Sequence, residues 1–257
     1  MRWTGAGQTD TGLVRPTNQD AFAVLNDHQL WIVADGMGGH PGGDIAAHTA
    51  VASLTKNASR QFGKTRTARS DPGRTLRDLV IQAHRDVLNR AKEQRALTGM
   101  GTTIVALVIE PDPRPLAHII HAGDSRAYLL RDGMLRQLTR DHTVVEEYLR
   151  RGVINVHEAK KHPKRHVLTR ALGIEPDVEL KVRSECLESE DRLLLCTDGL
   201  TKMLEDDEIQ SIVGREGPGL QDLCHALIEA CLAKGGEDNV TVVLCAGESL
   251  PSRSPGH

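Results

Sequence analysis

Four segments of this 257-residue chain share one design: a short apolar run ends in, or starts from, an aspartate beside a small residue. They are Trp31-Ile32-Val33-Ala34-Asp35-Gly36, Ile119-Ile120-His121-Ala122-Gly123-Asp124-Ser125, Leu194-Leu195-Cys196-Thr197-Asp198-Gly199, and Glu237-Asp238-Asn239 before Val240-Thr241-Val242. A carboxylate at a strand end is held rigidly and can face another across the rim of a sheet. Several such charges repel one another unless cations neutralise them. Oxygen donors with no recurring His or Cys ligand pattern favour Mg²⁺ or Mn²⁺ over Zn²⁺. Glycine after aspartate lets a cation approach the backbone carbonyl. One Asp-Gly alone reads as a hairpin turn; four such aspartates, each beside an apolar strand, point to a metal cluster.

The elements that must position these acids are short runs rich in Val, Ile and Leu. Residues 29–34, 103–109, 116–121, 127–130, 192–196 and 240–245 have strand length and are bounded by Gly, Pro or Asp. Residues 43–59 predict a helix with Ile45, His48 and Ala52 on one face. Leu76, Leu79, Val80, Ala83, Val87 and Ala91 recur at helical spacing and predict a second. Between them, residues 61–73 read as a basic, exposed loop closed by Pro72 and Gly73. Residues 206–213 and 220–234 predict two further helices, and the tail at 249–257 is expected to fray. Strands in clusters with helices inserted in pairs predict an α+β fold with antiparallel sheets rather than a doubly wound parallel one. One domain over residues 1–248 is expected.

Composition narrows the partners. Lys and Arg number 32 against 35 Asp and Glu, so there is no broad basic field to gather nucleic acid or anionic lipid. Five cysteines form an odd set without a C-x-x-C pair, which suits a reducing compartment. No apolar signal core follows the first residues, and no stretch approaches the roughly 20 apolar residues of a bilayer span. A soluble, cytoplasmic, monomeric protein is expected. Of the twelve histidines, His157, His162 and His166 lie in a basic segment and lack a helical ligand pair with an acid, and most of the twelve are expected at the surface.

Eight motifs follow in order: Arg15-x-x-Asn18-Gln19-Asp20, Asp35-Gly36-Met37-Gly38-Gly39-His40, Met100-Gly101-Thr102-Thr103, Gly123-Asp124-Ser125-Arg126, Leu138-Thr139-x-Asp141-His142, Ala171-Leu172-Gly173, Asp198-Gly199-Leu200 and Asp238-Asn239, in a match spread over residues 9–244. Together they resemble the ordered motifs of the PPM family, the type 2C protein phosphatases, in its compact bacterial branch. The resemblance implies a four-layer αββα sandwich with a metal cluster at one end of two antiparallel sheets. It implies a serine/threonine protein phosphatase acting on phosphorylated proteins, with a cognate kinase among its partners. By the same resemblance Asp35 bridges two Mn²⁺ or Mg²⁺ ions, Gly36 offers its carbonyl to the second, and Asp198 and Asp238 complete the first. Asp20 is a nearby acidic support, Arg15 the phosphate-binding arginine, and residues 142–166 a flap beside the site.

Chemistry of this kind needs no covalent phosphoenzyme, because paired cations lower the pKa of a shared water and aim it at phosphorus. A proton donor for the leaving alkoxide is less obvious. Met37 stands where eukaryotic relatives place a histidine, and Gln19 where many relatives carry Glu. Two donors remain open: His40, one turn beyond Asp35, and water on a third, looser ion that the resemblance assigns to Asp124 and Asp198. For Asp124 the plainer alternative is a turn cap, and for Arg126 a structural pairing with a carboxylate is preferred. A catalytically weak binding module of the same fold is the alternative function.

Overall fold

The computed structural model describes residues 2–37, 42–62, 71–110 and 114–248. Among the described residues, ten strands are distributed over two antiparallel five-stranded sheets. The first contains β1 (Arg2–Asp10), β10 (Val240–Glu248), β9 (Arg192–Cys196), β6 (Arg126–Arg131) and β7 (Met134–Gln137), in that order. The second runs β2 (Asp20–Leu25), β3 (Leu30–Asp35), β4 (Ile104–Glu110), β5 (Leu116–Ala122) and β8 (Val182–Cys186). Every pairing is antiparallel.

Alternation along the strands builds three separate cores. Trp31, Val33, Val105, Leu107 and Ile119 of the second sheet meet Trp3, Leu129, Leu193, Leu195 and Val243 of the first, which places the sheets face to face. The outward residues Leu30, Ile32, Ile104 and Ala106 pack under α1 (Gly43–Gln61) and α2 (Pro72–Glu93). On the far side, Tyr128, Leu194, Val242 and Leu244 pack under α5 (Asp198–Met203), α6 (Asp206–Val213) and α7 (Leu220–Ala233). The layers are therefore helix, sheet, sheet, helix, as expected. Two short helices, α3 (Val144–Arg150) and α4 (Val156–Lys161), fall within the expected flap.

Several expectations change in detail. The buried face of α1 carries Ala46, Ala47, Ala50, Val51, Leu54 and Ala58, while His48 and Ala52 face solvent and Ile45 is half-buried. Small alanines allow α1 to lie close to its neighbours, and a search for bulky residues selects the wrong stripe. Pro72 and Gly73 open α2 instead of closing a loop: Pro72 sits at the first helical turn, where its missing N–H costs nothing, and the Asp71 carboxylate accepts the Arg74 N–H at 2.9 Å. Most of the expected loop, residues 63–70, lies outside the described residues, as do His40 and the tail at 249–257. Strands β1, β2, β7 and β8 and helix α5 were not anticipated. In β1, Gly5 and Gly7 stand where a Cβ would collide with the Trp31 indole and the Phe22 ring, so the strand has few side chains from which to read a pattern. Among the described residues no helix is long and apolar enough to cross a membrane. Four cysteines are buried and Cys186 is exposed.

Candidate metal centre

Strand pairing sets the acids side by side. Asp20 opens β2 directly opposite Asp35, the last residue of β3. Backbone bonds then fix Asp35: its N–H donates to Thr103 Oγ1 at 3.0 Å, and its carbonyl accepts from the Thr103 N–H at 2.8 Å and Thr102 Oγ1 at 2.9 Å. Gly36 bridges to Thr102, and Thr102 in turn to Leu172, so three of the eight motifs meet at one point. A Cβ on Gly36 would collide with the Gly43 carbonyl, which makes glycine obligatory here.

Asp124 follows Gly123, whose φ of +107° lies in the region that favours glycine. Asp198 starts α5, and a Cβ on Gly199 would strike the Asn239 carbonyl, pressing that helix start against the turn carrying Asp238. Asn239 ties the remaining motif in place. Its buried side chain accepts the Gln19 N–H at 2.9 Å and donates to the carbonyls of Thr11 at 2.8 Å and Thr17 at 2.9 Å. Arg15, Gln19, Asp35, Gly36, Met37, Asp124, Asp198, Lys202 and Asp238 line one open cleft of about 640 Å³, with His166, Val167 and Leu168 from the end of the flap on its wall.

The charges in this cleft oppose one another. Burial first, then the charges of Asp198 and Asp238, outweigh hydrogen bonds from Thr241 and Thr197 and push Asp20 up to about 7. Desolvation, then Asp20, Asp198 and Asp124, raise Asp35 well above the usual carboxylate range. Asp124 is raised to about 7 by desolvation and by Asp198 and Asp141. Asp238 goes the other way: burial would raise it, but the Lys202 hydrogen bond and charge, together with Arg15, lower it.

The donor set fits hard divalent cations. Carboxylates that raise each other's pKa are relieved by a cation among them. Asp20 supplies a second sign: its Oδ2 accepts from Thr241 Oγ1 at 2.6 Å and Thr197 Oγ1 at 3.0 Å, whereas its Oδ1 is buried with no hydrogen-bond partner among the described residues. A buried carboxylate oxygen left without a donor is costly, and a cation or its water shell would satisfy it. The acids do not by themselves close into a ready metal shell among the described residues. Lys202 Nζ lies 2.6 Å from Asp198 Oδ2 and 2.8 Å from Asp238 Oδ2. Arg15 holds the same aspartate, with Nε 2.9 Å from Oδ1 and Nη2 3.0 Å from Oδ2.

Arg15 is therefore engaged by Asp238 and half-exposed, not free in the cleft. Arg126 makes the expected carboxylate pairing, with Asp141 at 2.9 and 2.7 Å. Two histidines, His84 and His118, are buried against the expectation for most of them, and His121 stacks on His142 at the base of the flap with ring centroids 4.4 Å apart. Lys202, Thr197, Thr241 and Asn239 were not chosen from the sequence as site residues. Of these, Lys202 was the legible one, since it lies four residues beyond Asp198 on a helix and so on the same face.

Comparison with known proteins settles the family. Residues 5–237 match the family described as protein phosphatase 2C. The chain belongs to that family. It is 38% identical to the serine/threonine phosphatase stp of Listeria monocytogenes over 240 residues, covering 92% of this chain and 93% of that one. Identity is also 38% to the serine/threonine protein phosphatase PstP of Mycobacterium tuberculosis, covering 93% of this chain and 44% of that longer protein. The crystal structure of PstP superposes with a TM-score of 0.86 at 34% identity, covering 97% of this chain and 100% of that one. The PstP catalytic domain in complex with two manganese ions superposes at 0.82 with 33% identity, covering 95% and 98%. This protein phosphatase 2C member is a hydrolase, a protein serine/threonine phosphatase.

Proposed function

We propose that the chain removes phosphate from phosphoserine and phosphothreonine in proteins by direct attack of water, using Mn²⁺ or Mg²⁺ held by Asp35, the Gly36 carbonyl, Asp198 and Asp238. Asp20 would shape the acidic surroundings, and Asp124 with Asp198 would hold a third, looser ion. Such ions supply Lewis acidity and a water made nucleophilic at neutral pH. The protein's own part is positional. The hydrogen bonds on Asp35 and the collision-limited Gly36 hold ligands at fixed angles. Asn239 pins the loop that carries Arg15, whose guanidinium suits the three phosphoryl oxygens on which charge accumulates. His40 remains a candidate proton donor.

The observation that carries this reading is Asp20 Oδ1, buried without a donor among the described residues and paired across the sheet with Asp35, which lines a cleft of mutually repelling acids. Cytoplasmic location, a monomeric state and a cognate serine/threonine kinase complete the proposal; balanced charge argues against a nucleic-acid substrate. The test compares turnover of a phosphothreonine peptide, nitrophenyl phosphate and single-stranded DNA, with Mn²⁺, with Mg²⁺ and after chelation. Metal-dependent peptide turnover is expected, with none on DNA. Asp124→Ala should cripple peptide hydrolysis and spare nitrophenyl phosphate, whose leaving group needs little protonation. Equal losses on both substrates would remove Asp124 from proton delivery.

A further inference from the structure

We infer that Lys202 is a built-in counter-cation that occupies the Asp198–Asp238 position in the metal-free protein and is expelled when a divalent ion binds. The inference rests on the metal-site reading above. Its ammonium lies 2.6 and 2.8 Å from one oxygen of each aspartate, which are distances of charge-assisted hydrogen bonds.

The two acids are held by backbone: Asp198 at the head of α5, and Asp238 on the turn against which Gly199 is pressed. The lysine head is not so held. It sits at the end of a flexible four-carbon stem in the last turn of the same helix, and its side chain is 28% exposed. When a divalent cation takes Asp198 Oδ2 and Asp238 Oδ2 as ligands, a full positive charge within hydrogen-bonding distance of those oxygens repels it. The ammonium yields because water can hydrate it once the stem swings out, whereas each carboxylate sits on a short side chain whose backbone is fixed in place. Metal binding is then an exchange: one positive charge leaves as two enter. Arg15 also reaches Asp238 Oδ2, at 3.0 Å through Nη2, but it is Lys202 that joins Asp238 to Asp198. The exchange keeps the acids paired in either state and weakens metal affinity by what the lysine contributes.

Two measurements test this on the full chain. The first is Mn²⁺ affinity, read as free Mn²⁺ by electron paramagnetic resonance, for the native protein and for Lys202→Gln, Lys202→Arg and Asp238→Asn. Lys202→Gln should bind Mn²⁺ at least about tenfold more tightly, since it removes a competitor worth a charge-assisted bond or more. Its metal-free form should melt at a lower temperature than the native protein. Lys202→Arg, which keeps the charge, should bind like the native protein. The second measurement maps acylation of lysines by mass spectrometry, and Lys202 should become more reactive when Mn²⁺ is added. Unchanged affinity in Lys202→Gln, or equal labelling with and without Mn²⁺, overturns the exchange. Asp238→Asn separates the two readings: if it leaves Mn²⁺ affinity intact, the metal site itself is misplaced and the exchange falls with it.

Discussion

Asp35 and Asp238 owe their place in the proposed chemistry to charge, not to shape. Asp35→Asn and Asp238→Asn should each lower kcat by several orders of magnitude at saturating metal while circular dichroism stays native, because the amide keeps the volume and loses the charge that gathers cations. Near-native turnover in either would displace the site. Asn239 differs: Asn239→Ala strips a buried side chain of three hydrogen bonds, leaving the Gln19 N–H and the Thr11 and Thr17 carbonyls without it. About 1–3 kcal/mol of stability should be lost for a buried group so orphaned, read from denaturant unfolding, and KM should rise as the Arg15 loop loosens. Aspartates at the ends of apolar runs were legible because their spacing to the strand is local. Thr197 and Thr241 were not: they meet Asp20 from 177 and 221 residues away, and nothing in a threonine's immediate neighbours records such a partner.

Elements with a strong internal period could be read, and those shaped by a neighbour could not. Helix α6 has the bounds expected for it, and α7 falls one residue short. Strand β1 went unseen because its glycines serve Trp31 and Phe22 on the facing sheet. Gly5→Ala should therefore cost about 1–3 kcal/mol through overpacking, measured as a lowered unfolding midpoint. A second prediction at this scale concerns the flap's base. Thr143 bridges Leu168, the His142 carbonyl accepts the Thr169 N–H at 2.8 Å, and the His142 N–H donates to the Gly123 carbonyl at 3.0 Å. Desolvation first, then His121 and Arg170, lower the His142 pKa to about 3 from an ordinary 6.5. The folded protein thus refuses a proton that the unfolded chain accepts. Stability from this group is complete above about 6.5 and is lost as pH falls toward about 3. Replacing His142 with Gln should flatten the acid limb of melting temperature against pH; an unchanged slope would contradict it.

At the scale of the molecule, chelation should abolish turnover, and Mn²⁺ or Mg²⁺, but not Zn²⁺, should restore it; full activity after exhaustive metal removal would defeat the mechanism. The four layers were legible only as antiparallel α+β from periodicity, and as a sandwich only through family resemblance, because stacking of two sheets depends on contacts that no local pattern carries. One of those long-range arrangements reaches beyond catalysis. Strand β1 pairs with β10 along its whole length, from Arg2 opposite Glu248 to Asp10 opposite Val240, and Asp238 lies just before β10. On the ribosome β1 must wait for β10, made about 230 residues later, so its edge stays unpaired through all of that interval. Stalled or shortened products ending before residue 238 lack both the closing strand and an acid of the cleft. Synthesis interrupted before β10 therefore yields a chain with an exposed β1 edge and an incomplete acidic cleft, fit for degradation instead of partial enzyme.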